Sequence, residues 1–360
     1  MREKILIFGT GSGAVKTLKA IDESVDVIGF IDNNKHKQGL LFENKRIYAP
    51  QEIANIEYDK IVICSVAFSQ IKEQLIASGI KECKIASRMY FHEKRFLERY
   101  DTEEYKNDAE IQEVIQNVKK DGLKVFNYPF ADKYKDMPIK VFWDEDKKLF
   151  YVIYHDKKMY MSKKKTSEEQ VKEYLRFLYM EQDDDSPHKY LTEKFDIEKM
   201  SVVVDAGVAE GNFALDIIDR VKKLILIEAD DDWIEALQYT FEPYKEKVQI
   251  IKGFLGNVNE GNNITLDNIL SGEHIDFIKM DIEGSEPDAL RGATTLLKNC
   301  KPKLDICVYH NEFDQKEVVQ ILERFDYNIK LSKGYMVFLT DESFQTKETK
   351  TAVRGLVRAW

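Results

Sequence analysis

From Ser201 the chain runs through three valines into a carboxylate and, two residues later, a glycine (SVVVDAG). A short β-branched run without polar alternation has no face to give to water, so it reads as a strand covered on both sides. Similar apolar runs recur in LILIE (224–228), VQIIK (248–252), IDFIKMD (275–281) and LDICVY (304–309). Strands of this kind alternating with helical periodicity predict an α/β fold with a mostly parallel sheet. NIKL, a Ser332-Lys333-Gly334 turn and YMVFL (335–339) read as a closing antiparallel hairpin.

The start of the chain repeats the theme on a smaller scale. KILIF leads into Gly9-x-Gly11-x-Gly13, VDVIGFI ends at Asp32, and KIVIC (60–64) precedes a helical stretch at 70–78. This predicts a Rossmann-like unit over residues 1–90, with Gly9, Gly11, Gly13 and Asp32 as nucleotide-binding candidates. The fingerprint is degenerate, and three strands are too few for both halves of an NAD site. A nucleotide-sugar or docking role and a purely structural role both stay open. Residues 91–200 read as a mixed connector: a helix with Ile111, Val114, Ile115 and Val118 inward, two strands around His155-Asp156, and a helix with Thr166 and Glu169 at capping-box spacing. Residues 201–340 form the larger α/β domain, and the basic tail within 341–360 reads as a surface helix.

Length and composition bound the function. The 360 residues, 43% hydrophobic, exceed one ordinary domain and exclude a disordered chain. A net charge of −10 disfavours non-specific nucleic-acid binding. Cys64, Cys83, Cys300 and Cys307 form no Cys-x-x-Cys pair, which excludes a zinc knuckle and fits a reducing compartment. With no signal-peptide pattern and no apolar run long enough for a bilayer, the expectation is a soluble cytoplasmic protein.

Two segments can carry chemistry. In VVVDAGVAEGNFA, Asp205 ends a strand and Gly207 and Gly211 let the backbone turn against a ligand; no Lys-Ser/Thr follows, so this is not a phosphate-gripping loop. An acid there suits an ammonium group. Glu228, 23 residues on, ends the next strand where a carboxylate can accept ribose hydroxyls. Ribose at one end and ammonium at the other describe S-adenosylmethionine; the alternative is that Asp205 and Glu228 only cap helices. In IKMDIEGSEP, Asp281 and Glu283 leave a strand tip together, a costly pairing without a cation or proton, whereas Glu286 before Pro287 reads as a structural helix start.

From Ser201 to Leu339 the chain resembles the FkbM family of S-adenosylmethionine-dependent methyltransferases, on VVVDAGVAEGNFAL, TLDNIL (265–270), IDFIKMDIEGSEPDALRGA and Val308-Tyr309-His310. The family loop more often reads Gly-Ala-Asn-x-Gly, where this chain has Gly207-Val208-Ala209-Glu210-Gly211. The resemblance implies the seven-stranded class I methyltransferase sheet and O-methylation, commonly of sugars or natural products. It places Asp205 and Gly207 at the methionine end, with Glu210 and Gly211 in the same loop, Glu228 at the ribose, and Gly253 and Phe254 near the adenine. His310 is read as a general base, as a ligand with Asp281 and Glu283 to a divalent cation, or as a satisfied histidine; too few oxygen ligands are legible to expect a metal.

Upstream, EQDDDSPHKY (181–190) is similar to a segment of some family members that can fold over the cofactor, and equally reads as a turn at Pro187 with a solvated acidic run; His188 is a second candidate base. His36, His92, His155 and His274 read as surface. GFIDNNKHKQG, IYAPQEI (47–53) and DKIVICS resemble the N-terminal domain of bacterial sugar-modifying enzymes, which implies a nucleotide-sugar partner there. The expected function is an O-methyltransferase acting on a hydroxyl of a saccharide or glycan precursor, with the oligomeric state open. A nucleotide-sugar oxidoreductase using the N-terminal glycine loop and a non-catalytic methyltransferase-fold scaffold are the alternatives.

Overall fold

The structure, a computed structural model, describes residues 2–311, 313–339 and 350–360. The chain divides into two compact units, Met1–Lys124 with Leu339–Thr351, and Val125–Phe338 with Ala352–Trp360. These limits do not coincide with the boundaries expected at 90 and 200, because helices of the intervening stretch are shared out between the two units.

In the first unit, β1 (Glu3–Phe8), α1 (Ser12–Lys19), β2 (Val25–Ile31), β3 (Leu41–Phe42), β4 (Lys45–Tyr48), β5 (Lys60–Ile63), α2 (Phe68–Ala77), β6 (Ile85–Ser87), α3 (Tyr90–Tyr100) and α4 (Ala109–Asp121) follow in order. The sheet runs β3-β4-β2-β1-β5-β6, parallel except at the β3/β4 hairpin. Period-two alternation sends Ile5 and Ile7 to one apolar cluster and Leu6 and Phe8 to the other, so both faces are covered. A Cβ on Gly13 would lie 2.4 Å from the Cys64 carbonyl oxygen, so only glycine lets α1 start this close to β5. The helix expected from Ile111, Val114, Ile115 and Val118 is α4, all four buried.

The second unit opens with an antiparallel leaf, β7 (Phe142–Asp144), β8 (Leu149–Tyr154) and β9 (Lys157–Tyr160), then α5 (Glu168–Glu181). The α5 N-cap is Ser167, accepting from Gln170 N, one residue beyond the capping box expected at Thr166. There follow β10 (Val202–Ala206), α6 (Asn212–Ile217), β11 (Lys223–Glu228), α7 (Asp231–Phe241), β12 (Val248–Lys252), β13 (Phe254–Leu255), β14 (Asn263–Ile264), α8 (Leu266–Ile269), β15 (Phe277–Met280), α9 (Glu286–Arg291), α10 (Thr294–Asn299), β16 (Lys303–Cys307), α11 (Asp314–Glu323), β17 (Ile329–Leu331), β18 (Met336–Val337), β19 (Ala352–Val353) and β20 (Leu356–Ala359).

The main sheet runs β12-β11-β10-β15-β16-β20-β17. Only β20 is antiparallel to its neighbours. This is the mostly parallel α/β sheet expected, in the seven-stranded order of class I methyltransferases. Val203, Leu224, Leu226 and Phe277 pack on one face with the leaf, α5 and α6. Val204, Ile225, Ile227, Ile278 and Met280 pack on the other with α8 to α11.

Two expectations at the carboxyl end fail. NIKL does not pair with YMVFL: β17 pairs with β20, and β18 with β19. Residues 352–359 hold two strands, β19 and β20, and no helix, and Leu356 and Val357 are both fully buried; Lys347 and the rest of 340–349 lie outside the described residues. No helix among the described residues is long and apolar enough to cross a membrane, and all four cysteines are free.

Candidate active site

Parallel strands deliver their carboxyl ends to one edge of the sheet, where ligands of open α/β folds bind. At that edge a cleft of about 530 Å³ is lined by Gly207, Ala209, Glu228, Trp233, Gly253, Phe254, Asp281 and Glu283, among others. The Gly207 backbone is left-handed (φ 75°), and a Cβ there would fall 1.6 Å from the Asp281 carbonyl oxygen. Only glycine lets the loop after β10 lie against the loop after β15. Glu228, 9% exposed, closes β11. Its carboxylate accepts from the backbone N–H groups of Ala209 (2.9 Å), Ala229 (2.7 Å) and Asp230 (2.9 Å). A carboxylate has about four lone-pair sites, so it can take a further donor from the cleft.

Asp205 is placed differently from expectation. It is fully buried, outside the cleft lining, and faces Lys279, its register partner on β15. Lys279 Nζ stands 3.1 Å from Asp205 Oδ1 and donates to the Gly207 carbonyl at 2.7 Å. Burial pushes the Asp205 carboxyl up to about 6 against the pull of Lys279. Burial disfavours the Lys279 charge too, but Asp205 and Asp281 raise its proton affinity above the ordinary value. Glu210 and Gly211 also lie off the cleft: Glu210 is buried and accepts from Tyr174 Oη at 2.5 Å, and Gly211 meets the Phe241 ring as α6 begins. Gly253 and Phe254 do line it.

The second segment forms a charged cluster in which Asp281 and Glu283 line the cleft, whereas His310 and Glu286 lie off its lining. Asp281 accepts from Tyr190 Oη (3.0 Å) and Tyr309 Oη (3.3 Å), and lies 3.3 Å from His310 Nε2. Glu283, in left-handed backbone (φ 57°), reaches within 3.6 Å of the same nitrogen. Glu286 Oε1 lies 3.4 Å from His310 Nδ1. Burial would raise the Asp281 carboxyl, but Lys279, His310, His188 and the Tyr190 hydrogen bond hold it below its usual value. Burial would lower His310, but Glu286, Asp281 and Glu283 together bring it to about 8. Among the described residues, Asp281, Glu286 and His310 gather donor atoms within 4.8 Å, as do His188, Asp281 and Cys307.

His188 is not presented to the cleft. It is 1% exposed, its Nε2 is 3.7 Å from Cys307 Sγ, and the rings of Tyr190 and Tyr309 flank it. Burial pushes it down to about 4. His92, read as surface, is buried on α3 and likewise falls to about 4. His155 is half a pair, with Nδ1 2.8 Å from Asp216 Oδ1. In the first unit, Gly9 and Gly11 lie in the β1-to-α1 turn and Gly13 is the second residue of α1. The Asp32 carboxylate, however, is taken by its own chain, accepting from Thr10 Oγ1 (2.5 Å), Asn34 N (2.8 Å) and Lys37 Nζ (3.3 Å).

Sequence reasoning gave no individual role to Lys279, Tyr190, Tyr309 or Glu181. A lysine inside the apolar strand IDFIKMD was the available signal, since a buried ammonium demands a buried anion. Glu181 ends α5 and is raised well above the usual carboxyl range by burial, then by Asp281 and Glu210.

Residues 245–329 match the methyltransferase FkbM domain. Residues 1–86 match the family described as C2185-like, N-terminal. The first match takes in Gly253, Phe254, Lys279, Asp281, Glu283, Glu286 and His310. No curated protein matches the chain. Among solved structures, the methyltransferase FkbM from Methylobacillus flagellatus KT is 17% identical over 99% of this chain and 90% of its own, with a TM-score of 0.47. SMU.1697c from Streptococcus mutans, solved in complex with SAH, is 16% identical over 45% of this chain and 89% of its own, with a TM-score of 0.32. UDP-D-quinovosamine 4-dehydrogenase from Vibrio fischeri is 20% identical over 24% and 76%, with a TM-score of 0.21.

Proposed function

We propose that this chain is an S-adenosylmethionine-dependent O-methyltransferase acting on a hydroxyl of a saccharide or glycan precursor. The observation that carries the reading is one cleft lined by both Glu228 and Asp281, with His310, itself off the lining, 3.3 Å from Asp281. Its donor chemistry fits the cofactor: Glu228 has acceptor capacity left for a ribose hydroxyl, Ile227, Trp233, Phe254 and Leu255 give apolar wall for a purine, and the Gly207 loop brings bare backbone to the rim. Once bound, the cofactor supplies a methyl group already activated on a sulfonium.

The chain's own work is positioning and proton handling. Lys279 donates to the Gly207 carbonyl, and its charge favours the ionised form of Asp281. Asp205 serves that lysine rather than the ligand. Where pH exceeds about 8 and His310 is neutral, it takes the acceptor hydroxyl's proton at Nε2, and Asp281 steadies the resulting charge. His188, low in basicity and sealed, stands behind the site as packing. The saccharide acceptor and a nucleotide-sugar at the first unit are supported by the sequence resemblance of 1–90.

Calorimetric titration with S-adenosylmethionine and S-adenosylhomocysteine tests the reading. Wild type binds both, and Glu228→Ala weakens S-adenosylhomocysteine by about tenfold or more, the scale of one hydrogen bond to a charged group. No binding by folded wild type refutes it.

A further inference from the structure

A second cavity opens in the same unit, between the β8–β9 hairpin, the end of α5, the segment that follows it and α6. It measures about 370 Å³ and shares no lining residue with the cleft. Its apolar wall is aromatic: Tyr154 and Tyr179 stack with ring centroids 5.4 Å apart, and Tyr190 meets Phe213 edge to face at 5.5 Å. Its polar wall is carboxylate. Asp183, 7% exposed, accepts from Lys133 Nζ (3.1 Å), Tyr134 Oη (2.7 Å) and Asp185 N (3.0 Å). Asp216 accepts from Tyr154 Oη at 3.1 Å and lies 2.8 Å from His155 Nδ1. Asp184 pairs with Lys189 at 2.7 Å.

This wall selects among ligand classes. Every acid already faces a donor, so no bare negative charge is left to draw in a cation. A carboxylate has about four lone-pair sites, so Asp183 and Asp216 still have acceptor capacity. A purely apolar ligand would leave that capacity unused and dry. A sugar ring answers both walls at once, since its C–H face stacks on an aromatic ring while its hydroxyls donate to carboxylates. Tyr190 joins the cavity to the chemistry: it lines the cavity, and its Oη donates at 3.0 Å to Asp281, which lines the cleft.

We propose that this cavity is a saccharide subsite, holding a sugar unit of the acceptor other than the one whose hydroxyl is methylated. The proposal rests on the saccharide-acceptor reading, but the binding itself needs neither cofactor nor methyl transfer. The acceptor then carries at least two sugar units, and the unit in the cavity supplies binding energy that positions the reacting one.

The test is saturation-transfer nuclear magnetic resonance on the full chain without cofactor, using glucose, galactose, mannose, rhamnose, N-acetylglucosamine and, as a cationic control, choline. At least one sugar binds wild type with a Kd of about 10 mM or tighter, and choline does not. Asp216→Asn, which keeps the side chain's shape at an exposed position, weakens that sugar by about threefold or more, and Tyr179→Ala by about fivefold or more. Where Tyr179→Ala fails to fold, Asp216→Asn decides. S-adenosylhomocysteine affinity stays within about threefold in both variants, because neither residue lines the cleft. No sugar bound by wild type overturns the proposal whether or not a variant folds, and so does choline bound in place of sugars. Sugar binding retained in full by the folded variants overturns it too, since the sugar then sits elsewhere. Sugar binding that the variants lose, in a protein that binds no S-adenosylhomocysteine, leaves the subsite standing and sinks the methyltransferase reading; S-adenosylhomocysteine bound with no sugar bound does the reverse.

Discussion

Replacing Lys279 by methionine tests the assignment on which the whole cleft depends. The Lys279 ammonium is buried beside Asp205, whose carboxylate oxygens have no hydrogen-bond partner. Taking away one member of such a pair leaves an uncompensated buried charge, at about 3–5 kcal/mol. Against a typical domain stability of about 5–15 kcal/mol, that brings the unit near unfolding. The carboxyl can escape by binding a proton, and it is already at about 6 with the lysine present. A carboxyl whose folded value lies above its unfolded one costs stability above the folded value, and the cost fades as pH drops below the unfolded one. The Lys279→Met defect is therefore larger at pH 8.5 than at pH 6. Asp205→Asn with Lys279→Met removes both charges and recovers at least half of the loss. Urea midpoints of wild type, single and double variants at both pH values check this. A single variant within about 1 kcal/mol of wild type, or a double variant no better than the single, refutes the reasoning. It follows that Asp205→Ala is no clean probe of cofactor contact, since it strands a buried lysine.

Val357→Asp places a charge at a position buried on β20, between β16 and β17, and is expected to abolish soluble, cofactor-binding protein; a surface helix would tolerate it, so normal solubility would count against the strand. His188, held at about 4 by burial, is expected to show no protonation step between pH 5.5 and 9 in a histidine resonance titration, and a step in that window would reopen its case as a base.

The β/α alternation was legible because both sheets bury their central strands on two faces, which writes unbroken apolar runs into the sequence. The Gly207 turn, Glu228 and the Asp281–His310 encounter were legible for a related reason, since strand ends fix where side chains emerge. What sequence could not show is which polar residue answers which. Asp205 reads as a ligand contact until β15 supplies Lys279 in register with it. Asp32 reads as a ribose partner until Thr10 and Lys37 close on it. Basic residues flank LVRA, and a strand of only four residues gives too little alternation to outweigh them. The YMVFL hairpin was misread because neighbours in sequence need not be neighbours in the sheet: β20 enters between β16 and β17.

The strand order also dictates a sequence of assembly. β10 is central, yet its two partners arrive at different times: β11 after one short helix, β15 only after α7, β12, β13, β14 and α8 have been laid down. Closing a loop of that length is slow compared with pairing β11, because the entropy is lost before the contacts form. In the interval β10 shows an open edge of consecutive valines, and Asp205 stays hydrated with no cation beside it. Such an edge is where a second nascent chain would pair. Docking of β15 therefore does two things in one step: it covers that edge, and it carries in the lysine that makes burying Asp205 tolerable.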